Sequence, residues 1–182
     1  MEESQLKIVF AGSVGAGKTT SIRAISDIEP FETEEAVTDE TRHLKETTTV
    51  AMDYGRMNLD SDTSVQLYGA PGQERFQFMW EILGQGALGV IILIKNNADD
   101  PLGHLDRYIK AFSSHLQTRG IVVGVTFTDI SQRPSLSDYR EFLKVFKGTI
   151  PLYTLDARKD DMVRTLVKTL LYRIDPMLTT TD

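Results

Sequence analysis

The sequence contains no cysteine and only one tryptophan, and none of its apolar runs is long enough to span a membrane. Without cysteine the chain forms no disulfide, offers no thiolate to zinc and carries no S-acyl group. A membrane helix needs roughly 18 consecutive apolar residues, and neither a secretion signal nor a lipidation motif is evident. We therefore expect a cytoplasmic protein with no direct membrane anchor.

Basic residues are also few, because 20 lysines and arginines are set against 26 aspartates and glutamates, for a net charge of −6. Binding to nucleic-acid phosphates requires clustered basic side chains, and no such cluster occurs, so we expect no nucleic-acid partner. A chain of 182 residues, 41% of them hydrophobic, can bury the core of one domain. We predict a single domain over 1–182, in which 175–182 is a flexible tail.

Apolar runs of strand length alternate with longer amphipathic stretches, which is typical of βαβ units and a parallel sheet. The runs 87–94 and 121–125 are almost continuously hydrophobic and suit central strands buried on both faces. The stretches 48–59 and 63–69 flank a polar turn and predict one antiparallel edge strand. We therefore predict an α/β P-loop NTPase fold with a six-stranded, mostly parallel sheet and about five helices on both faces. The other strands are predicted at 6–11, 88–95, 120–127 and 150–154, and the helices at 18–27, 76–84, 101–118, 135–147 and 159–173.

The most specific motif is G-x-x-x-x-G-K-[ST] at residues 12–19, directly after the first apolar run. Its glycines let backbone N–H groups converge on a polyphosphate, and the helix that follows directs its positive dipole end at the same group. Lys18 supplies a charge between the terminal phosphates, and Thr19 supplies a hydroxyl for Mg²⁺. The sequence thus predicts a nucleoside triphosphate site with Mg²⁺, whose phosphate-binding residues are Gly12, Ser13, Val14, Gly15, Ala16, Gly17, Lys18, Thr19 and Thr20.

Two segments without clear periodicity, 29–46 and 69–75, are expected to be functional loops near this motif. Within the second, Gly72 and Gln73 follow a strand and resemble the D-x-x-G-Q stretch of the Ras-like small GTPases. The resemblance implies that the Gly72 amide senses the terminal phosphate and that Gln73 orients the attacking water.

The start of the strand-like stretch 48–59 resembles the first switch of the same family. The resemblance implies that Thr49 binds Mg²⁺ and closes over the terminal phosphate. Thr47 and Thr48 are adjacent competitors for this role, and strand propensity alone also explains such a triplet.

The resemblance extends to the base-reading residues. Thr126-Phe127-Thr128-Asp129 stands where the family has N-K-x-D, and its aspartate accepts hydrogen bonds from guanine. Phe127 either stacks on the purine or belongs to the core. The segment Leu155-Asp156-Ala157-Arg158 resembles the S-A-K element, whose alanine amide contacts the base. The predicted ligand is therefore GTP or GDP, contacted by Thr126, Phe127, Asp129, Asp156, Ala157 and Arg158.

The stretches 67–73 and 39–55 are similar to a prokaryotic group that contains the gliding-motility polarity GTPase and the small GTPases encoded beside Roadblock-type proteins. Membership implies that the chain is one G domain acting as a molecular switch. It also implies two partners, a Roadblock-type regulator and a downstream effector protein.

Three departures from the family bear on catalysis. Gly69 stands where most members have a carboxylate near Mg²⁺, which implies weaker metal binding. Val14 replaces a glycine beside the γ-phosphate and would crowd Gln73, which implies slow hydrolysis. Arg42 and Arg75 are candidate transition-state arginines, or else ordinary surface residues.

The leading hypothesis is a regulatory GTPase in which Gln73, Lys18 and Thr49 act in catalysis. A second hypothesis is a nucleotide-binding interaction module with little or no hydrolysis, favoured by Gly69, Val14 and the altered Thr126-Phe127 positions. A third is an ATP-dependent kinase or ATPase with the same phosphate loop, but no arginine-rich lid segment is apparent.

Overall fold

The computed structural model describes residues 4–37, 48–117 and 120–179, which form one sheet covered by helices. The strands are β1 (Ser4–Gly12), β2 (Phe31–Val37), β3 (Thr48–Asn58), β4 (Thr63–Gly69), β5 (Gly89–Lys95), β6 (Ile121–Thr126) and β7 (Leu152–Thr154). The helices are α1 (Lys18–Ile25), α2 (Gln77–Gly84), α3 (Pro101–Ala111), α4 (Ser114–Gln117), α5 (Leu136–Leu143) and α6 (Asp160–Ile174), with 3₁₀ turns at Glu74–Phe76 and Pro176–Thr179.

The sheet has seven strands in the order β2-β3-β4-β1-β5-β6-β7. β4, β1, β5, β6 and β7 are parallel to one another, whereas β3 is antiparallel to both of its neighbours. The carboxyl ends of the parallel strands therefore meet at one edge, where ligands bind in open α/β sheets. This topology brings the segments after β1, β6 and β7 together.

Two hydrophobic clusters hold the helices against the two faces of the sheet. α2, α3 and α5 contribute Trp80, Leu105 and Tyr139 to one cluster, and all three side chains are fully buried. α1 and α6 contribute Ile22 and Leu166 to the other. Every residue of β6 is buried, as the continuous hydrophobic pattern predicted for a central strand.

The predicted α/β fold with a mostly parallel sheet and helices on both faces is confirmed, with two differences in detail. A seventh strand, β2, pairs with β3 inside a segment that the sequence assigned to a loop, so the antiparallel strand β3 is not at the edge. The acidic composition of β2 hides its strand character, because an edge strand needs no hydrophobic run. The predicted helix over 101–118 is divided into α3 and α4, because the α-helical pattern stops at Phe112.

The end of the described chain lies against α6. Leu178, in the 3₁₀ turn at Pro176–Thr179, packs on the cluster formed by α1 and α6. Residues 180–182 of the predicted tail lie outside the described residues. Among the helices that the structure describes, none has the length and hydropathy required to cross a membrane.

Candidate nucleotide-binding site

The G-x-x-x-x-G-K-[ST] motif connects the carboxyl end of β1 to the first turn of α1, as the sequence predicted for a phosphate loop. All three of its glycines have backbone conformations that L side chains rarely adopt, with φ of 148° at Gly12, 75° at Gly15 and 100° at Gly17. A Cβ at Gly12 would lie 2.3 Å from the carbonyl oxygen of Leu93, and one at Gly17 would lie 2.9 Å from the Cβ of Ala157. The loop therefore requires glycine at both positions.

Lys18 is buried at the start of α1, and its side chain folds back over the loop. The ammonium group donates hydrogen bonds to the carbonyl oxygens of Gly12 at 2.8 Å and Ser13 at 2.9 Å. Burial lowers the pKa of Lys18 to about 8, against an opposing effect from the negative charge of Asp53. An anion bound in the loop would offset this cost of burying the charge.

A cavity of about 610 Å³ opens beside the phosphate loop. Its walls come from three segments that are distant in sequence: the phosphate loop, the turn after β6 and the turn after β7. The volume suits a nucleotide-sized ligand. The lining residues are Gly15, Ala16, Gly17, Lys18, Thr19, Thr20, Thr126, Phe127, Thr128, Asp129, Ile130, Thr154, Leu155, Asp156, Ala157, Arg158, Lys159 and Met162.

Thr126 connects the base-side wall of the cavity to the phosphate loop. It is 3% exposed, and its hydroxyl lies 3.1 Å from the carbonyl oxygen of Ala16 and 3.3 Å from that of Ile94, both acceptors for its one proton. A threonine is shorter than the asparagine of N-K-x-D, but this hydroxyl reaches the loop. The position therefore fixes the loop against β5 and β6.

Phe127 follows at the turn, half-buried and with a left-handed φ of 59°. Its ring lies in the cavity wall, 5.8 Å from the ammonium group of Lys95. The ring is thus neither in the core nor fully exposed, and it forms part of the cavity wall.

The turn that carries Asp129 is supported from below by a polar network that the sequence gave no signal for. The amide of Asn96 donates to the carbonyl oxygen of Ser131 at 2.6 Å, and the Tyr139 hydroxyl donates to the Asn96 side-chain oxygen at 2.7 Å. Both Asn96 and Tyr139 are buried. Their contacts depend on how α5 packs against the sheet, which local sequence does not reveal.

Asp129 and the turn after β7 bring two carboxylates and one guanidinium to the mouth of the cavity. Arg158 donates to both carboxylate oxygens of Asp156 at 2.8 Å. These hydrogen bonds lower the pKa of Asp156 to about 2, so it is ionised at neutral pH. The hydrogen bonds to Asp156 raise the pKa of Arg158, and the charge of Asp129, which is exposed and lines the cavity, adds to this effect.

The second predicted loop lies on the other side of the phosphate loop, outside the walls of the cavity. A Cβ at Gly72 would lie 2.6 Å from the amide nitrogen of Val14 and 2.7 Å from the carbonyl carbon of Ser13, so this glycine touches the loop backbone. The preceding residue is anchored by Trp80, whose indole N–H donates to the Pro71 carbonyl at 2.8 Å.

Residues 73–75 of this second loop are exposed, and so is Val14 of the phosphate loop, at 63%. The guanidinium of Arg75 lies over the ring of Phe76 at 4.7 Å, and Arg75 is not among the residues that line the cavity. The structure therefore brings Gly72 and Val14 together but does not bring Gln73 or Arg75 into the cavity. Arg42 lies outside the described residues.

Of the two predicted metal ligands, Thr19 and Thr49, the structure describes the side chain of Thr19 only. The Thr19 hydroxyl donates to Oδ2 of Asp53 at 2.6 Å, a contact that the sequence did not predict. The backbone of Thr49 pairs with Ala36 in the β2–β3 ladder, whereas its side chain lies outside what the structure describes. Gly69 has no side chain to offer a metal, and Asp53 lies directly opposite it.

Comparison with known proteins identifies the family. A family model described as "conserved hypothetical ATP binding protein" matches residues 10–180. The chain belongs to this family. An uncharacterized protein of Methanocaldococcus jannaschii is 32% identical over 95 residues, which cover 52% of this chain and 53% of that protein. The chain thus matches only about half the length of that relative.

The fold of this family member is also found among solved structures. The G domain of the T. maritima FeoB iron transporter superimposes with a TM-score of 0.65 at 15% identity, covering 93% of this chain and 98% of that domain. The likeness establishes a GTPase-like P-loop fold. Together, the family, the fold and the phosphate loop make this chain a P-loop protein with a nucleotide-binding site.

Proposed function

We propose that the protein is a guanine-nucleotide switch that hydrolyses GTP slowly to GDP and phosphate with Mg²⁺. One observation carries the proposal: a single cavity of about 610 Å³ joins the phosphate loop to Asp129 and Ala157. These are the positions at which small GTPases hold the phosphates and read guanine. The arrangement arises from segments separated by more than a hundred residues, as the contact of Thr126 with Ala16 illustrates.

Guanine is favoured over adenine because of the chemistry of Asp129. A carboxylate accepts hydrogen bonds from the ring N–H and the exocyclic amine of guanine, whereas adenine presents an unprotonated ring nitrogen at the same place. Adenine would leave the carboxylate without these hydrogen bonds, and a site built to hydrogen-bond one ligand rejects an analogue that cannot make those bonds. The family description names ATP, so the identity of the base is the point on which this proposal departs from it.

Mg²⁺ would be held by the hydroxyls of Thr19 and Thr49, with phosphate and water completing its ligands. When bound, the ion neutralises charge on the terminal phosphates. Lys18 would exchange its bonds to Gly12 and Ser13 for bonds to those phosphates, which requires little motion of the ammonium group. The phosphates would be bound mainly by the backbone amides of the loop.

Hydrolysis would proceed by attack of water on the γ-phosphorus. The new bond joins the water oxygen to phosphorus, the bond to the β–γ bridging oxygen breaks, and GDP leaves. Gln73 would orient the water, and the amide of Gly72 would contact the γ-phosphate. Gln73 is exposed and is not among the residues that line the cavity, so this step would need it to turn toward the γ-phosphate, and Val14 lies next to Gly72 on the phosphate loop. Both features support a slow intrinsic rate.

Regulation would come from protein partners. The resemblance to GTPases encoded beside Roadblock-type proteins supports a Roadblock-type regulator that assists hydrolysis, and a switch also needs an effector. Near the second loop, α2 presents two large apolar side chains to solvent, Phe78 at 47% and Ile82 at 49% exposure. Movement of Gly72 would displace this helix and change the surface that a partner meets.

A second candidate function is a nucleotide-binding interaction module with little hydrolysis. The observation that favours it is that Gln73 is not among the residues that line the cavity, since a module of this kind needs no water-positioning residue. The two functions share the same nucleotide site and differ only in turnover.

The test is a titration of the purified protein with fluorescent guanine and adenine nucleotides, together with chromatographic identification of the nucleotide that co-purifies. We expect GDP and GTP to bind at least about 100-fold more tightly than ADP and ATP, since each hydrogen bond to a charged acceptor contributes about 1.5–3 kcal/mol. Asp129→Ala should abolish this preference, whereas Asp99→Ala, outside the cavity, should keep it. Equal affinities for the two bases in the wild-type protein would refute the guanine assignment.

A further inference from the structure

Position 69 lacks the carboxylate that small GTPases place near Mg²⁺, and the neighbouring strand fills the space. Gly69 on β4 and Asp53 on β3 are directly opposite in the antiparallel register. Opposite residues in such a pair project from the same face of the sheet. A Cβ at Gly69 would lie 2.9 Å from the Cβ of Asp53 and 2.8 Å from its Oδ2. The Asp53 carboxylate therefore occupies the room that a side chain at position 69 would need.

Asp53 also contacts the residue that would bind the metal. Its Oδ2 accepts the hydroxyl proton of Thr19 at 2.6 Å, a distance typical of a charge-assisted hydrogen bond. Asp53 is partly buried, so water screens its charge less than that of a surface carboxylate. Asp53 thus places a carboxylate oxygen beside the hydroxyl of Thr19.

The donor chemistry fits Mg²⁺. This ion binds one or two carboxylates together with hydroxyls, phosphate oxygens and water, and no other carboxylate of the described residues contacts Thr19. We propose that Asp53 takes the place of the missing carboxylate and positions Mg²⁺, directly or through a bound water, from the strand next to the usual one. The inference rests on the proposed nucleotide-binding function and is an alternative to the expectation that Gly69 weakens metal binding.

A purely structural role for Asp53 makes a different prediction. If the carboxylate only holds Thr19 in place, its removal disturbs the phosphate loop whether or not metal is present. If it positions Mg²⁺, its removal affects nucleotide affinity only when metal is present. Metal dependence therefore separates the two roles.

The experiment measures Mn²⁺ binding to the GDP complex by electron paramagnetic resonance, and fluorescent GDP affinity in Mg²⁺ and in EDTA. Asp53→Asn is nearly isosteric and should weaken Mn²⁺ binding by about 10–100-fold, as loss of a positioning partner does in other metal sites. It should also remove most of the gain in GDP affinity that Mg²⁺ gives, and leave the affinity in EDTA unchanged. Asp27→Asn is the matched control. Oδ2 of Asp27 accepts a hydrogen bond from the backbone N–H of Asn58 at 2.7 Å, and Asp27 does not line the cavity.

A swap variant, D53G/G69D, returns the carboxylate to β4 and leaves glycine opposite it. It should recover Mn²⁺ affinity to within a few-fold of the wild type, whereas D53G alone should not, because it has a carboxylate at neither position. If Asp53→Asn fails to fold by circular dichroism, the swap variant decides the question. A swap variant that folds and binds Mn²⁺ supports the proposal, and a swap variant that folds but does not bind Mn²⁺ overturns it.

Other outcomes separate this inference from the proposed function. Wild-type Mn²⁺ affinity in Asp53→Asn, or an equal loss of GDP affinity in EDTA and in Mg²⁺, overturns the role of Asp53. Wild-type protein that binds GDP without any effect of metal also overturns it and leaves nucleotide binding intact. Wild-type protein that binds no nucleotide refutes the proposed function itself.

Discussion

The hydroxyl of Thr126 joins the base-side wall of the nucleotide cavity to the phosphate loop, so it is a direct place to test the architecture. In Thr126→Val the shape is kept and the proton donor is lost. The carbonyl oxygens of Ala16 and Ile94 then lose their partner at 3.1 and 3.3 Å, in a position that is 3% exposed.

The size of the effect follows from burial. Leaving a buried acceptor without its donor costs about 1–3 kcal/mol. For a chain of this length, each 1 kcal/mol lowers the melting temperature by about 2–4 °C. We therefore expect Thr126→Val to melt about 2–12 °C below the wild type. GDP affinity should fall as well, because the same carbonyl positions the phosphate loop.

Differential scanning calorimetry and fluorescent GDP titration measure the two effects. Thr126→Ser is the matched control, since it keeps the hydroxyl and removes only a methyl group that lies 3.8 Å from the Cβ position of Gly17. The serine variant should bind GDP more tightly than the valine variant. If valine is as stable as threonine and binds GDP equally well, the hydroxyl does not tie the loop to β6, and the reasoning fails.

Three further predictions concern the phosphates, hydrolysis and pH. Lys18→Ala should abolish or severely weaken GTP binding in a fluorescence titration. The circular dichroism spectrum should stay unchanged, because the hydrogen bonds of the ammonium group go to loop carbonyls. Wild-type affinity for GTP in this variant would contradict the role assigned to Lys18. Single-turnover phosphate release should rise in Val14→Gly and fall in Gln73→Ala, with tenfold corresponding to about 1.4 kcal/mol of barrier; unchanged rates, alone or with a Roadblock-type partner, favour the non-catalytic module. Burial lowers the pKa of His115 below its usual 6.5, with the Gly84 carbonyl opposing the shift. As the pH drops, His115 is therefore protonated in the unfolded chain before it is protonated in the folded protein, and the free energy of unfolding should fall below about pH 6.5. Urea unfolding should show a weaker pH dependence in His115→Gln.

The features that the sequence could predict are those encoded by neighbouring residues. The phosphate loop is one continuous motif, and the two central strands are continuous hydrophobic runs, so both lie where the sequence places them. Strand β2 was missed because its residues carry neither alternation nor a hydrophobic run, and it forms through pairing with β3. Pairing energy of this kind comes from a partner strand and leaves little local signal.

The contact of Asp53 with Thr19 escaped prediction for a related reason. It depends on the register that sets Asp53 opposite Gly69, and a shift of one residue would turn the aspartate to the other face. Nothing in residues 48–58 alone determines that register. The glycine at position 69 was visible in the sequence, but the carboxylate that fills its space could be recognised only once the two strands were paired.

The contacts of Asp53 and Thr126 change the comparison between the two candidate functions, because they involve positions at which the sequence departs from the small-GTPase pattern. The sequence counted Gly69 and Thr126 against catalysis, because each lacks a group that the family has. In the structure, Asp53 places a carboxylate in the space at Gly69, and the Thr126 hydroxyl reaches the phosphate loop. Neither departure therefore argues for an inactive module any longer. The remaining argument concerns only Val14 and Gln73, which is why the rate of phosphate release in those two variants, and not nucleotide binding, distinguishes a slow switch from a binding module.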